Sequence, residues 1–167
     1  MTESLPEINN HEVHAGENIV IGEQKFVVEK VSDGRKLAEE FGLTLSRYVP
    51  VYYLDGISPR REGAYHPKLD CILVFKNTEK DILKHEIIHA IEFPQEKSPG
   101  LLSLYERAKA IINEDSFSGN LVSFNFRKNI SEFIADGYTK SALIDALKKE
   151  GLYEEFLKET AYLFDNP

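Results

Sequence analysis

The chain keeps its strand-like segments apart from its helix-like segments, and this order constrains the fold more than any other feature of the sequence. The runs IVIGEQKFVVEKV, VPVYYL and CILVF in the first half are rich in β-branched and aromatic residues, which favour strands. One run among them, GRKLAEEFG, has helical spacing instead, and ISPRREGAYHPKLD predicts a loop. Strands that are followed by helices indicate an α+β fold with a small, mostly N-terminal sheet.

The second half of the chain carries apolar residues at helical spacing. A helix that begins after Thr78 is predicted to end at Pro94, because proline cannot continue a helix. Further helices are predicted over about residues 99–113, 131–149 and 153–164. The sequence therefore predicts a helical C-terminal half.

The length of 167 residues is within the usual size of one domain, and no low-complexity linker interrupts the chain. We therefore expect a single domain over residues 19–167 after a loosely ordered tail, residues 1–18. The tail lacks the basic and apolar regions of a secretory signal, so that a cytoplasmic location and export after processing are both open. The single cysteine, Cys71, excludes an internal disulfide, and we expect an inert core thiol there.

Charge and hydropathy argue against two classes of partner. The formal net charge of −8 argues against a nucleic-acid interface, which needs a basic face. No run approaches the roughly 18 apolar residues that a membrane span requires. We therefore expect neither nucleic acid nor a membrane span.

The run KHEIIHA contains the H-E-x-x-H pattern. On a helix, His85 and His89 lie on one face, where both imidazoles can reach one Zn²⁺ ion at about 2.0–2.1 Å. Glu86 is next to the first imidazole, where it can act as a general base on an attacking water molecule. A second run, HEVH, places His11 and His14 three residues apart in the polar tail without an apolar stripe, and we expect no metal there.

A catalytic zinc ion usually takes three protein ligands and keeps one open position. The run NISEFIADGY offers Glu132, 43 residues after His89, and Asp136 one helical turn later. This Glu-x-x-x-Asp layout after H-E-x-x-H is that of the gluzincins. It predicts Glu132 as the third ligand and Asp136 as an acceptor for the ring N–H of a zinc histidine. The alternatives are a solvated acidic helix face, or a third ligand at Asp136, Glu92 or Asp115.

Three blocks of the sequence together resemble a known family. They are GAYHPKLDCILVF, KHEIIHAIEF and FNFRKNISEFIADGYTK, and they lie within the last two thirds of the chain. This part resembles the catalytic domain of anthrax toxin lethal factor and the related Pro-Pro endopeptidases. The resemblance implies a zincin-like fold with an active-site helix, and a toxin-related metalloprotease that hydrolyses a protein or peptide substrate with a metal-activated water. It implies one Zn²⁺ ion held by His85, His89 and Glu132, with Glu86 as the base.

The chain departs from the family pattern at two points. The family often has Gly before the second histidine, where this chain has Ile88. The family also places a tyrosine shortly before the third ligand, where its phenol supports the oxyanion, but this chain has the run FNF there. Asn125, Tyr65 and Tyr138 are the candidates to replace it. Loss of one oxyanion donor costs about 10²–10³ in rate, so a weak, very selective or inactive enzyme is compatible with the sequence.

The substrate is expected to lie extended along a sheet edge and to add to it through main-chain hydrogen bonds. The residues predicted to form that edge are Cys71, Ile72, Leu73, Val74 and Phe75.

Two other functions fit the same motif. One is a phage-type regulatory peptidase of the ImmA/IrrE kind, which is small and built around H-E-x-x-H, although its third ligand usually lies nearer to the motif. The other is a non-catalytic, zinc-supported binding or effector module, which the missing tyrosine favours.

Overall fold

The computed structural model describes residues 13–21, 23–57, 64–67, 69–112 and 125–165. Most of the predicted tail, including His11, lies outside the described residues. The chain divides into two compact units, residues 1–90 (the first unit) and residues 91–167 (the second unit). Over the described residues the fold is mixed α+β, with a five-stranded sheet in the N-terminal half and six α-helices. The predicted α+β class is therefore confirmed.

The sheet belongs to the first unit. Its strands are β1 (Asn18–Ile21), β2 (Gln24–Asp33), β3 (Pro50–Asp55), β4 (Ala64–His66) and β5 (Cys71–Val74). Their order across the sheet is β1-β2-β3-β5-β4. The β3–β5 pairing is parallel and the other three are antiparallel. A core of buried side chains forms on this sheet: Val13, Ile19, Phe26, Val28, Tyr52, Leu54, Cys71, Leu73 and Phe75.

The segment between β3 and β5, predicted as a loop, contains the short strand β4. Strand β4 is only three residues long, and it pairs antiparallel with β5 so that Tyr65 lies opposite Ile72. A three-residue strand is too short to show an alternating apolar pattern, so it can be recognised only through its partner. The turn into β5 passes through Asp70, whose φ of 51° lies in the left-handed region.

Six α-helices and one short 3-10 helix, Asn125–Arg127, are present in the described part of the chain. The α-helices are α1 (Gly34–Glu40), α2 (Lys80–Glu92), α3 (Pro99–Ile111), α4 (Ile130–Thr139), α5 (Ser141–Lys149) and α6 (Tyr153–Asp165). Helix α2 ends two residues before Pro94, as predicted. None of the described helices is long and apolar enough to cross a membrane.

The helices of the second unit pack around an aromatic core. The ring of Phe133 lies 5.1 Å from that of Tyr105 and 5.2 Å from that of Phe156, centroid to centroid. Gly137 lets the Phe156 ring approach the α4 backbone, because a Cβ at this position would overlap the ring. This core sets which face of α4 is buried and which face remains accessible.

The prediction of a single helix over residues 131–149 is wrong. The helix is interrupted at Lys140, which separates α4 from α5. Lys140 has extended backbone angles, φ −104° and ψ 113°. The hydroxyl of Thr139 donates to the Ala135 carbonyl at 2.7 Å, a local bond that competes with the helical ladder. The break lets α5 pack against both α4 and α6. The sequence has neither Gly nor Pro at this point, so it carries no stop signal.

Candidate metal centre

Helix α2 presents the two histidines of the H-E-x-x-H motif on one half-buried face. Its opposite residues Ile87, Ile88 and Ile91 are fully buried and determine the rotation of the helix about its axis. The Nε2 atoms of His85 and His89 lie 3.0 Å apart. Two nitrogens bound to one tetrahedral zinc ion at 2.0–2.1 Å would be about 3.3 Å apart. The pair is therefore close enough to bind a single ion.

Glu132 lies in the first turn of α4, where a helix cap holds its backbone. The side-chain oxygen of Asn129 accepts a hydrogen bond from the Glu132 amide at 2.8 Å. One carboxylate oxygen of Glu132 and one ring nitrogen each of His85 and His89 lie within 4.8 Å of one another. All three side chains are half-buried. The three predicted ligands thus form a group that could hold a metal ion, as their sequence pattern indicated.

Glu86 is almost fully buried, with 9% of its surface exposed, and its carboxylate contacts the sheet. Oε1 accepts a hydrogen bond from the main-chain N–H of Tyr65, in strand β4, at 2.5 Å. A hydrogen bond from a backbone amide to a carboxylate is strong and directional. The predicted base is therefore held in one orientation by a main-chain donor, which the sequence pattern does not indicate.

Asp136 lies one turn after Glu132 on α4 and is 2% exposed. An ionised carboxylate at such a position is costly unless a charge or a donor compensates it. The burial rules out the alternative of a solvated acidic face for this residue. Its contact with a zinc histidine stays a prediction.

The other two acids considered as third ligands are placed differently. Asp115 lies outside the described residues. Glu92 is 0% exposed and forms an ion pair with Lys97, with 2.8 Å between Nζ and Oε1. Its carboxylate also accepts a hydrogen bond from the hydroxyl of Ser131 at 3.1 Å. Glu92 is therefore buried within the second unit, where it contacts Lys97 and Ser131.

The two tyrosines considered for oxyanion support have their hydroxyl groups hydrogen bonded within their own units. The Tyr65 hydroxyl donates to Asp70 at 2.6 Å. The pKa of Tyr65 is well above its usual value, mainly because the phenol is buried and also because of this hydrogen bond. The Tyr138 hydroxyl lies 2.5 Å from that of Thr160. The side chain of Asn125 lies outside the described part of the structure. An oxyanion role for any of the three stays a prediction.

The prediction that β5 forms an edge of the sheet is wrong, and a substrate-binding role for its residues stays a prediction. Strand β5 pairs with β3 on one side and with β4 on the other, so its main chain is already hydrogen bonded on both sides. The residues concerned are all buried: Cys71, Ile72, Leu73, Val74 and Phe75. Burial raises the pKa of the Cys71 thiol to about 12, as expected for an inert core cysteine. Among the described strands, β4 forms the edge of the sheet on this side, and it is the strand that contacts Glu86.

Two ion pairs near the candidate residues have no signal in the sequence. Arg47 binds Asp70 through two nitrogens, at 2.7 and 2.6 Å, and Lys97 binds Glu92. The first pair joins residues 23 positions apart, so no helical or strand spacing relates them. In the second pair, Glu92 is the last residue of α2 and Lys97 follows the helix, where a lysine usually lies in solvent.

The comparisons with known proteins give no relative for this chain. No protein-family model, no curated protein and no solved structure matches it. The resemblance to lethal factor therefore rests on the three sequence blocks alone.

Proposed function

We propose that this chain is a zinc-dependent endopeptidase. The observation that carries the proposal is the grouping of the ligand atoms of His85, His89 and Glu132 within 4.8 Å, with the buried carboxylate of Glu86 beside the first histidine. Two imidazoles and one carboxylate are a donor set that suits zinc. Three protein ligands with one open position are typical of a catalytic rather than a structural zinc site.

The chemistry that this arrangement supports is hydrolysis of a peptide bond. When bound, zinc would supply a Lewis acid that lowers the pKa of water to about 7 and polarises a carbonyl. Glu86 would take the proton from the attacking water and pass it to the leaving amine. The Tyr65 amide would keep the Glu86 carboxylate oriented during both transfers.

Strand β4 is the place at which an extended substrate would add to the sheet. It is the last strand in the sheet order, and an edge strand can pair with a peptide through main-chain hydrogen bonds. The main-chain N–H of Tyr65 is already bonded to Glu86, so a peptide on this strand would pair through other main-chain groups of β4 and would lie close to the base. The net charge of −8 weakly favours basic substrate segments through electrostatic steering.

The test combines metal analysis with a peptide-library digest of the wild type and of Glu86→Gln. Glutamine has the shape of glutamate and can still accept the Tyr65 hydrogen bond, so the variant removes the base with little change in structure. We expect one zinc ion per chain in both proteins and cleavage by the wild type alone. Absence of bound metal from the wild type would rule out the proposal.

A non-catalytic zinc-binding module is the second candidate, and one observation favours it. The family tyrosine is absent from the run FNF, and the hydroxyls of Tyr65 and Tyr138 are bonded to Asp70 and Thr160. Stoichiometric zinc in the wild type without cleavage of any library peptide would favour this module over the peptidase.

A further inference from the structure

The guanidinium group of Arg47 joins two elements of the first unit. Arg47 lies between α1 and β3, and its Nε and Nη2 atoms donate to the two carboxylate oxygens of Asp70 at 2.7 and 2.6 Å. Nη2 also donates to the carbonyl of Ala90, in α2, at 2.8 Å. Both contacts use the rigid fork of donors that distinguishes arginine from lysine. One side chain therefore connects the β4–β5 turn to the last turn of α2.

The contact with Ala90 compensates for a donor that the sequence removes. In a continuing helix, the carbonyl of Ala90 would accept from the amide of residue 94. That residue is Pro94, which has no N–H group. Arg47 supplies the missing donor, so its guanidinium group satisfies a main-chain carbonyl at the end of α2.

The contact with Asp70 extends to the residue that holds Glu86. The Tyr65 hydroxyl donates to Asp70 at 2.6 Å and accepts from Arg47 at 3.3 Å. The main-chain N–H of the same tyrosine donates to Glu86 at 2.5 Å. Strand β4 is only three residues long and pairs with β5 alone among the described strands, so the anchored phenol adds a second restraint on the Tyr65 amide.

We propose that Arg47 and Asp70 are positioning residues for Glu86. They hold α2, which carries Glu86, and β4, which carries the Tyr65 amide, at the separation where the two groups are hydrogen bonded. The inference rests on the proposed function for its effect on turnover. Its structural part, the restraint on the Tyr65 amide, can be measured without any turnover.

The test uses the zinc-loaded chain and the variants Arg47→Gln, Arg47→Lys and Asp70→Asn. Lysine keeps the charge without the fork, and asparagine tolerates the positive φ at position 70. The matched control is Arg35→Gln. Arg35 forms a similar pair with Asp33, with Nε at 3.2 and 3.0 Å from its two oxygens, but that pair lies between β2 and α1.

We expect zinc content to stay at one ion per chain in all variants. With a cleaved library peptide as substrate, kcat should fall by about 10–10²-fold in the three test variants while KM changes little, because the base is displaced and the ligands are not. Arg47→Lys should not restore kcat. Amide hydrogen exchange at Tyr65 should become at least about tenfold faster in the same variants, and Arg35→Gln should match the wild type.

Three results would overturn the inference. They are unchanged exchange at Tyr65, an equal fall in kcat for Arg35→Gln, and full recovery of kcat with Arg47→Lys. All measurements are made well below the melting temperature of each variant, so that global unfolding does not contribute. If the wild type binds zinc but cleaves nothing, the proposed function fails, and Tyr65 exchange still decides whether the Arg47–Asp70 pair restrains the amide.

Discussion

The candidate centre draws on two helices whose surroundings differ in kind. On the side of α2, Tyr65 links Glu86, the proposed base, to Arg47 and Asp70, which form an ion pair with about a third of each side chain exposed. On the side of α4, the residue before Glu132 is bonded to Glu92, whose pair with Lys97 is almost completely buried. A partly exposed ion pair adds little to the free energy of unfolding, although it can orient neighbouring side chains. Breaking a buried pair costs more, because it leaves one buried charge without its partner. The comparison predicts functional effects in the first region and stability effects in the second.

Removal of a ligand should have the largest effect, and it should be the same for either helix. We expect His89→Ala and Glu132→Ala to lose stoichiometric zinc and all cleavage, because two protein ligands do not make a catalytic site. Zinc content after dialysis, measured by atomic absorption, tests this directly. Full zinc occupancy in Glu132→Ala would mean that the third ligand is another residue. The expectation of equal zinc loss from α2 and α4 variants would then be wrong.

The buried pair of the second unit gives the next largest effect, and it concerns stability. Lys97→Met leaves the carboxylate of Glu92 buried without its cation, and we expect the free energy of unfolding to fall by about 3–5 kcal/mol. Urea denaturation of the zinc-loaded protein measures it.

A largely exposed carboxylate in the same unit serves as the control. Glu106→Gln breaks the ion pair with Lys109; Glu106 is 71% exposed, and the change should cost less than about 1 kcal/mol. The double variant Glu92→Leu/Lys97→Met should recover much of the lost stability, because no buried charge remains. Equal losses for Lys97→Met and Glu106→Gln would contradict the contrast between buried and exposed pairs.

A moderate effect is expected from Asp136, because its predicted action on the metal is indirect, through a histidine. Asp136→Asn should weaken zinc affinity by about 10–100-fold, measured by competition with a chelator. The control is Asp145→Asn, on an exposed position of α5, which should leave the affinity unchanged. If Asp136→Asn binds zinc as tightly as the control, Asp136 does not orient a ligand.

The smallest effect concerns the stability that the Arg47–Asp70 pair contributes, and it should depend on pH. Burial raises the pKa of Asp70, but the hydrogen bonds from Arg47 and Tyr65 outweigh it and bring this pKa below the usual value. A lowered pKa in the folded state means a contribution that is complete above about pH 4 and is lost as the pH falls through the folded-state pKa.

Asp70→Asn should therefore be less stable than the wild type at pH 7 by about 1 kcal/mol or less, since the pair is partly exposed. The difference should shrink as the pH falls below about 4. Thermal melts of both proteins between pH 2 and pH 7 measure it. A difference that grows toward low pH would mean that the sign of the Asp70 contribution is wrong.

Parts of the fold followed from local patterns. The strand and helix segments of the first half, the buried run of β5 and the end of α2 before Pro94 were all predicted from composition and spacing. The errors were at β4 and at Lys140. Both depend on partners: β4 exists because β5 pairs with it, and the break at Lys140 lets α5 pack against α6.

The amino-acid sequence by itself determined the α+β class and the common face of His85 and His89, because helical periodicity places residues four apart together in any setting. The tertiary structure decided which strand is the edge and which main-chain amide binds Glu86. It also decided that the side chains of Arg47 and Lys97 bind Asp70 and Glu92. These contacts join residues with no periodic relation, such as Arg47 and Asp70, 23 positions apart. Their partners are selected by packing and by the need to compensate buried charge and backbone groups, which no local pattern encodes.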